Sequence, residues 1–82
     1  MKIAVHSLAE TLFEGEAIKL IAYTPTGQIT VLDGHIPLIT TLTGPKCSIV
    51  SKGGKPFEIT LSSGVLEVRP DSEVVALIGR TS

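Results

Sequence analysis

The sequence predicts an all-β fold, a small two-sheet antiparallel β-sandwich forming one domain over 1–82, and three observations carry that expectation. Large apolar residues recur at every second position in several stretches, the period at which a strand presents one dry face. Val, Ile and Thr are abundant, and branching at Cβ restricts χ1 in a helix while fitting a pleated surface. Clusters of Gly, Pro, Asp and Ser interrupt the chain every several residues, which is the punctuation of short strands joined by tight turns.

Taken in order, strands are expected at Lys2 to Leu8 and Glu16 to Ala22, the latter with Ile18, Leu20 and Ala22 on one face and Lys19, Ile21 and Tyr23 on the other. The turn Thr24-Pro25-Thr26-Gly27 leads into Gln28 to Leu32, where Ile29 and Val31 alternate with polar residues. After Asp33-Gly34, Pro37 removes a backbone donor, so Ile36-Pro37-Leu38-Ile39 reads as a bend that starts a strand after the proline. Thr43-Gly44-Pro45 reads as a further turn before a strand at Lys46 to Ser51. A hairpin through Lys52-Gly53-Gly54-Lys55 then joins Pro56 to Ser62, because two adjacent glycines can both take the positive φ of a tight reversal. Val65 to Arg69 and Glu73 to Ile78 complete the set, and the unbroken run Val74-Val75-Ala76-Leu77-Ile78 suggests a strand covered on both sides.

Composition narrows the function. With 82 residues the chain is too short for two cores. Its 7 Lys and Arg against 8 Asp and Glu leave a net charge of −1, so there is no electropositive surface for phosphate backbones and nucleic acid is not an expected partner. A single cysteine, Cys47, cannot bridge within the chain, and it is expected as a small buried apolar residue in a reducing compartment. No apolar run reaches the roughly 18 residues of a membrane span, and the N-terminal stretch lacks a signal peptide's apolar region.

Catalysis needs a constellation, and few parts are on offer. Glu14 and Glu16 flank Gly15 and would share one face of a strand, but a solvated edge explains them more simply. Ser62-Ser63-Gly64 is not a nucleophile elbow, and Lys52-Gly53-Gly54-Lys55 lacks the spacing and following helix of a phosphate loop. His6 and His35 show no metal-ligand spacing with Cys47 or with each other, so neither a metal nor a cofactor is expected. His35 is the residue to single out: it follows a turn and precedes a proline-interrupted apolar stretch, where an imidazole can serve as a ligand, a base or a hydrogen-bonding corner, and a corner or interface contact is expected over catalysis or metal binding. The partly apolar second face of several strands implies a binding module rather than an enzyme.

At His35 the chain also resembles a known family. Leu32-Asp33-Gly34-His35-Ile36-Pro37-Leu38-Ile39-Thr40 is similar to the Leu-Pro-Gly-His-Ala-Pro-Leu-Leu-Thr signature of the epsilon subunit of rotary F-type ATP synthases, the mitochondrial delta subunit. Phe13-Glu14-Gly15-Glu16, Gly27-Gln28-Ile29 and Ser62-Ser63-Gly64-Val65-Leu66-Glu67-Val68 match further family segments in the same order, so the resemblance runs from the N-terminus to about Ile78.

The resemblance implies a β-sandwich at the foot of the central stalk, without an active site, that clamps the gamma subunit to the c-ring and couples proton or sodium flow to ATP synthesis. It implies a place on the cytoplasmic face of a bacterial inner membrane, held there through the rest of the ATP synthase complex. By position, Thr26, Gly27, Gln28 and His35 correspond to the ring-facing loop, and Pro37 and Leu38 to the gamma-facing side. Asp33 stands where the family usually has proline, Gln28 where an acidic residue is common, and Ser63 where a glycine is usual. The family continues into a C-terminal pair of inhibitory helices, and a chain ending at Ser82 is expected to lack that arm. Two other classes compete: a biotinyl- or lipoyl-type carrier domain with Lys52 or Lys55 as the modified residue, and a small ligand-binding sandwich, for which two His, one Tyr, two Phe and no Trp are sparse means.

Overall fold

Alternating apolar residues organise the molecule into strands that share one dry interior. The computed structural model describes residues 1–79, so the expected domain end at Ser82 lies outside the described residues. The strands are β1 (Lys2–His6), β2 (Thr11–Glu16), β3 (Lys19–Thr24), β4 (Gly27–Leu32), β5 (Leu38–Val50), β6 (Pro56–Thr60), β7 (Ser63–Arg69) and β8 (Glu73–Gly79). They form one ladder in the order β2-β1-β8-β7-β5-β3-β4, with β6 also on β5. The all-β sandwich expected from the alternation is therefore the fold observed.

β5 turns one ladder into two layers. Its first part, Leu38 to Thr43, lies along β7, while Lys46 to Val50 lies between β6 and β3. The expected turn at Thr43-Gly44-Pro45 is thus a corner inside a continuous strand, not a reversal. The Gly44–Pro45 peptide is cis, and the corner's backbone groups are satisfied where Gly44 N–H donates to Ser62 O at 3.2 Å and Leu61 N–H donates to Pro45 O at 2.9 Å. A Cβ at Gly44 would stand 2.5 Å from Leu61 O, so only glycine admits the β6–β7 connection this closely.

Between the layers sit Ile3, Val5, Leu20, Val31, Ile49, Leu66 and Val74, all essentially inaccessible, with Cys47 beside them as expected. No polar or charged residue is buried with them among the described residues. Burial pushes the Cys47 thiol up from its ordinary value, which keeps it protonated and unreactive. The β5–β6 hairpin forms as expected, with φ of 114° and 91° at Gly53 and Gly54.

Several expectations are corrected. Every pairing is antiparallel except β1 with β8, which is parallel from Lys2↔Glu73 to His6↔Leu77; these strands come from opposite ends of the described chain, so no hairpin dictates their direction. β1 ends at His6, because Ser7 Oγ accepts from the Ala9 and Glu10 amides and turns the chain. β2 was not expected as a strand: Glu14-Gly15-Glu16 interrupts its pattern, yet it pairs with β1 as an edge whose two glutamates face solvent. Ile18 does not join Leu20 and Ala22 in the core. It lies at the crossing into β3, half-exposed, with its N–H donating to Val50 O at 2.8 Å. β8 is covered on one side only: Val74, Ala76 and Ile78 are buried while Leu77 is 50% exposed.

Candidate functional site

The residues singled out by the sequence occupy the two ends of β4. At one end, the Pro25-Thr26 connection closes the β3–β4 hairpin, with Thr24 opposite Gly27. Thr24 Oγ1 organises this turn, donating to Gly27 O at 2.8 Å and accepting from Thr26 N–H at 3.3 Å. Thr26, Gly27 and Gln28 are all exposed there, an uncharged polar tip suited to a wet contact.

At the other end, Leu32 pairs with Lys19 and the chain turns through Asp33-Gly34. His35 fixes this corner as expected. Its N–H donates to Leu32 O at 3.0 Å, and its Nδ1 bonds Ile36 O at 2.7 Å. A carbonyl only accepts, so Nδ1 is the donor in this contact. Thr26–Gln28 and His35 lie at opposite ends of β4, whose five steps at about 3.3 Å each put roughly 16 Å between Gly27 and Leu32.

Pro37 and Leu38 follow His35 by two and three residues at the same end of β4. Pro37 is exposed, Leu38 packs partly against the core, and the two border a shallow open depression shared with Ile39, Val68 and Pro70. Ile36 and Ile39 beside them are 73% and 72% exposed. This end also gathers Glu16 and Asp33 around the Met1 ammonium, at 3.8 and 3.9 Å, while that ammonium donates to Ala17 O at 2.9 Å. Among the described residues no group of three or more His, Cys, Asp or Glu is arranged to hold a metal.

An apolar surface that sequence reasoning did not assign lies on the outer side of the first layer. Val65 of β7 is directly opposite Leu77 of β8, and both are about half-exposed. Ala4 of β1 and Val75 of β8 adjoin them in the next row, with Glu67 and Arg69 paired at 3.2 Å alongside. The unbroken apolar run in β8 carried the signal, since a strand with one face in the core and the other awaiting a partner reads the same as one buried on both sides.

These features define a small β-sandwich with an uncharged β3–β4 turn, a corner held by His35 and an uncovered apolar sheet face. The chain belongs to the family described as ATP synthase, Delta/Epsilon chain, beta-sandwich domain, whose family model matches residues 1–77. Among similar curated proteins are an ATP synthase epsilon chain of Clostridium kluyveri, 36% identical over 69 residues that make up 84% of this chain and 52% of the relative. One of Psychrobacter cryohalolentis is 41% identical over 85% of this chain and 51% of its own, and one of Stenotrophomonas maltophilia is 32% identical over 93% and 53%. The chain thus spans about half the length of these relatives. Two solved structures share its fold. One, a cryo-EM structure of the Euglena gracilis mitochondrial ATP synthase (OSCP/F1/c-ring), matches with a TM-score of 0.87 at 21% identity over 93% of this chain and 48% of that one. The other, of the Tetrahymena thermophila mitochondrial ATP synthase central stalk and c-ring, gives 0.82 at 10% identity over 96% and 63%. The carrier-domain and ligand-binding readings find no support in these matches.

Proposed function

We propose that this domain is a rotor clamp of a bacterial ATP synthase, a subunit without an active site that joins the gamma subunit to the c-ring so that the parts turn together. The observation that carries this reading is the family match across 1–77, nearly the whole described chain. The physics is consistent with it: a clamp transmits torque only if its interior does not yield, and the interior is an apolar core with no polar or charged residue buried in it among the described residues.

On this reading Thr26, Gly27 and Gln28 face the ring and Pro37 and Leu38 face gamma; for His35, expected on the ring side, the reading is the gamma side, because it lies at the Pro37 end of β4. The complex, on this reading, holds the domain at the cytoplasmic face of the inner membrane. The test is a reconstitution in which Gln28→Lys and Leu38→Asp are assayed separately for retention of the ring and of gamma. The expected result is that Gln28→Lys weakens only ring retention and Leu38→Asp only gamma retention. Equal loss of both from either variant, or no loss from either, overturns the division.

A further inference from the structure

A sheet edge exposes a row of unpaired backbone N–H and C=O groups, and proteins defend such rows with charges, proline or bulges. Among the described residues β2, β4 and β6 each pair with a single neighbour, so each presents an edge. Two are defended. β2 carries Glu14 and Glu16, and its ladder with β1 is irregular between Val5 and His6. β6 starts on Pro56 and holds Glu58, whose carboxylate accepts from Lys46 Nζ at 2.7 Å across its outer side.

β4 is not defended. It reads Gly-Gln-Ile-Thr-Val-Leu with no charge and no proline, and its ladder with β3 keeps register from Thr24↔Gly27 to Lys19↔Leu32. We propose that β4 pairs antiparallel with β4 of a second copy of this chain, forming a two-fold dimer with Thr30 on the axis.

The second copy is the occupant because the edge is complementary to itself. Centring on Thr30 sets Ile29 against Val31 of the second copy on the inner side, and Gln28 against Leu32 of the second copy on the outer side. Ile29 is only partly buried at the end of its own core and Leu32 is 53% exposed, so both gain cover. Asp33 falls opposite Gly27 of the second copy, and no charge meets a like charge across the seam. Thr30 meets its own copy, a pairing that suits two hydroxyl-bearing β-branched side chains. Association stops at two, because the contact is isologous and the other two edges are defended. The inference stands apart from the partner reading above, since it concerns the free chain alone.

Sedimentation equilibrium of the 82-residue chain up to about 1 mM tests it, that range covering the weak affinity of a single short strand pair. The expected result is a mass that rises with concentration towards twice 8.6 kDa. Thr30→Lys, at an exposed outer position, sets two ammonium groups together on the axis and weakens the dimer roughly tenfold or more. Thr11→Lys, at an exposed position of β2 on the other layer, leaves it unchanged. Thr30→Cys gives a disulfide-linked dimer under mild oxidation, which reads the register directly. A monomer at every concentration, a Thr30→Lys chain that dimerises like the parent, or loss of the dimer in Thr11→Lys would each overturn the proposal.

Discussion

Phe13 of β2 and Phe57 of β6 stack across the seam between the two layers, their ring centroids 5.5 Å apart and their planes tilted by 39°. Each sits on an edge strand, and each side chain points inward: Phe13 lies opposite core Val5 and Phe57 opposite core Ile49. The two rings meet at the open side of the sandwich, Phe13 packed partly against the core and Phe57 half-exposed.

That contact predicts a measurable coupling. Phe13→Ala and Phe57→Ala should each destabilise the domain, and the double mutant should cost less than the sum by about 0.5–1.5 kcal/mol, the value of an aromatic pair beyond its buried area. Urea denaturation of the four proteins checks it, and strict additivity would show that the rings touch without supporting one another.

The β5 corner predicts a contrast between two glycines. Gly44→Ala drives a Cβ to 2.5 Å from Leu61 O, whereas at Gly15 the new Cβ meets only the Phe13 ring at 3.8 Å. Gly44→Ala should therefore cost about 1–3 kcal/mol and Gly15→Ala much less. Thermal melts of both variants distinguish them.

Cys47 predicts loss of stability in alkali. Its folded-state ionisation lies above the ordinary thiol value because burial opposes the thiolate. As pH rises past about 8.5 the unfolded chain sheds a proton that the folded chain keeps, so the unfolded state gains. Stability should fall through that range, and Cys47→Ala should remove the thiol's share of the slope. In the native protein the thiol should resist modification until the chain unfolds.

Glu58 predicts the opposite limb. Its hydrogen bond to Lys46, reinforced by the ammonium's charge, holds the carboxyl below its ordinary range. The contribution is present above the ordinary carboxylate range and is lost as pH falls through the lowered folded value. Both groups are solvent-exposed, so Glu58→Gln should flatten the acid limb only slightly, as paired titration curves of the melting temperature would show.

The sequence made some of this plain and hid the rest for identifiable reasons. Alternation of Ile29 with Val31 and of Cys47 with Ile49 marked β4 and the second half of β5 because each has one dry and one wet face. Gly53-Gly54 marked the hairpin because a tight reversal has few other solutions. β2 was obscured because Glu14-Gly15-Glu16 is edge-strand chemistry, which resembles a turn when its partner strand is unknown. The β5 corner is not legible in the sequence because glycine followed by proline also punctuates reversals, and only the bonds to Leu61 and Ser62 show that the strand continues. At the candidate site, the corner role of His35 was legible from Asp33-Gly34 before it, but its distance from Thr26–Gln28 depends on β4 being fully extended between them.

The rotor-clamp reading rests most directly on one association. Co-expression of this chain with a tagged gamma subunit from the same source, followed by affinity purification and mass analysis, should recover the two in equal amounts, and Leu38→Asp should release the chain while its β-sheet signal persists. Recovery of gamma alone, under conditions in which a longer family member is retained, would contradict the account.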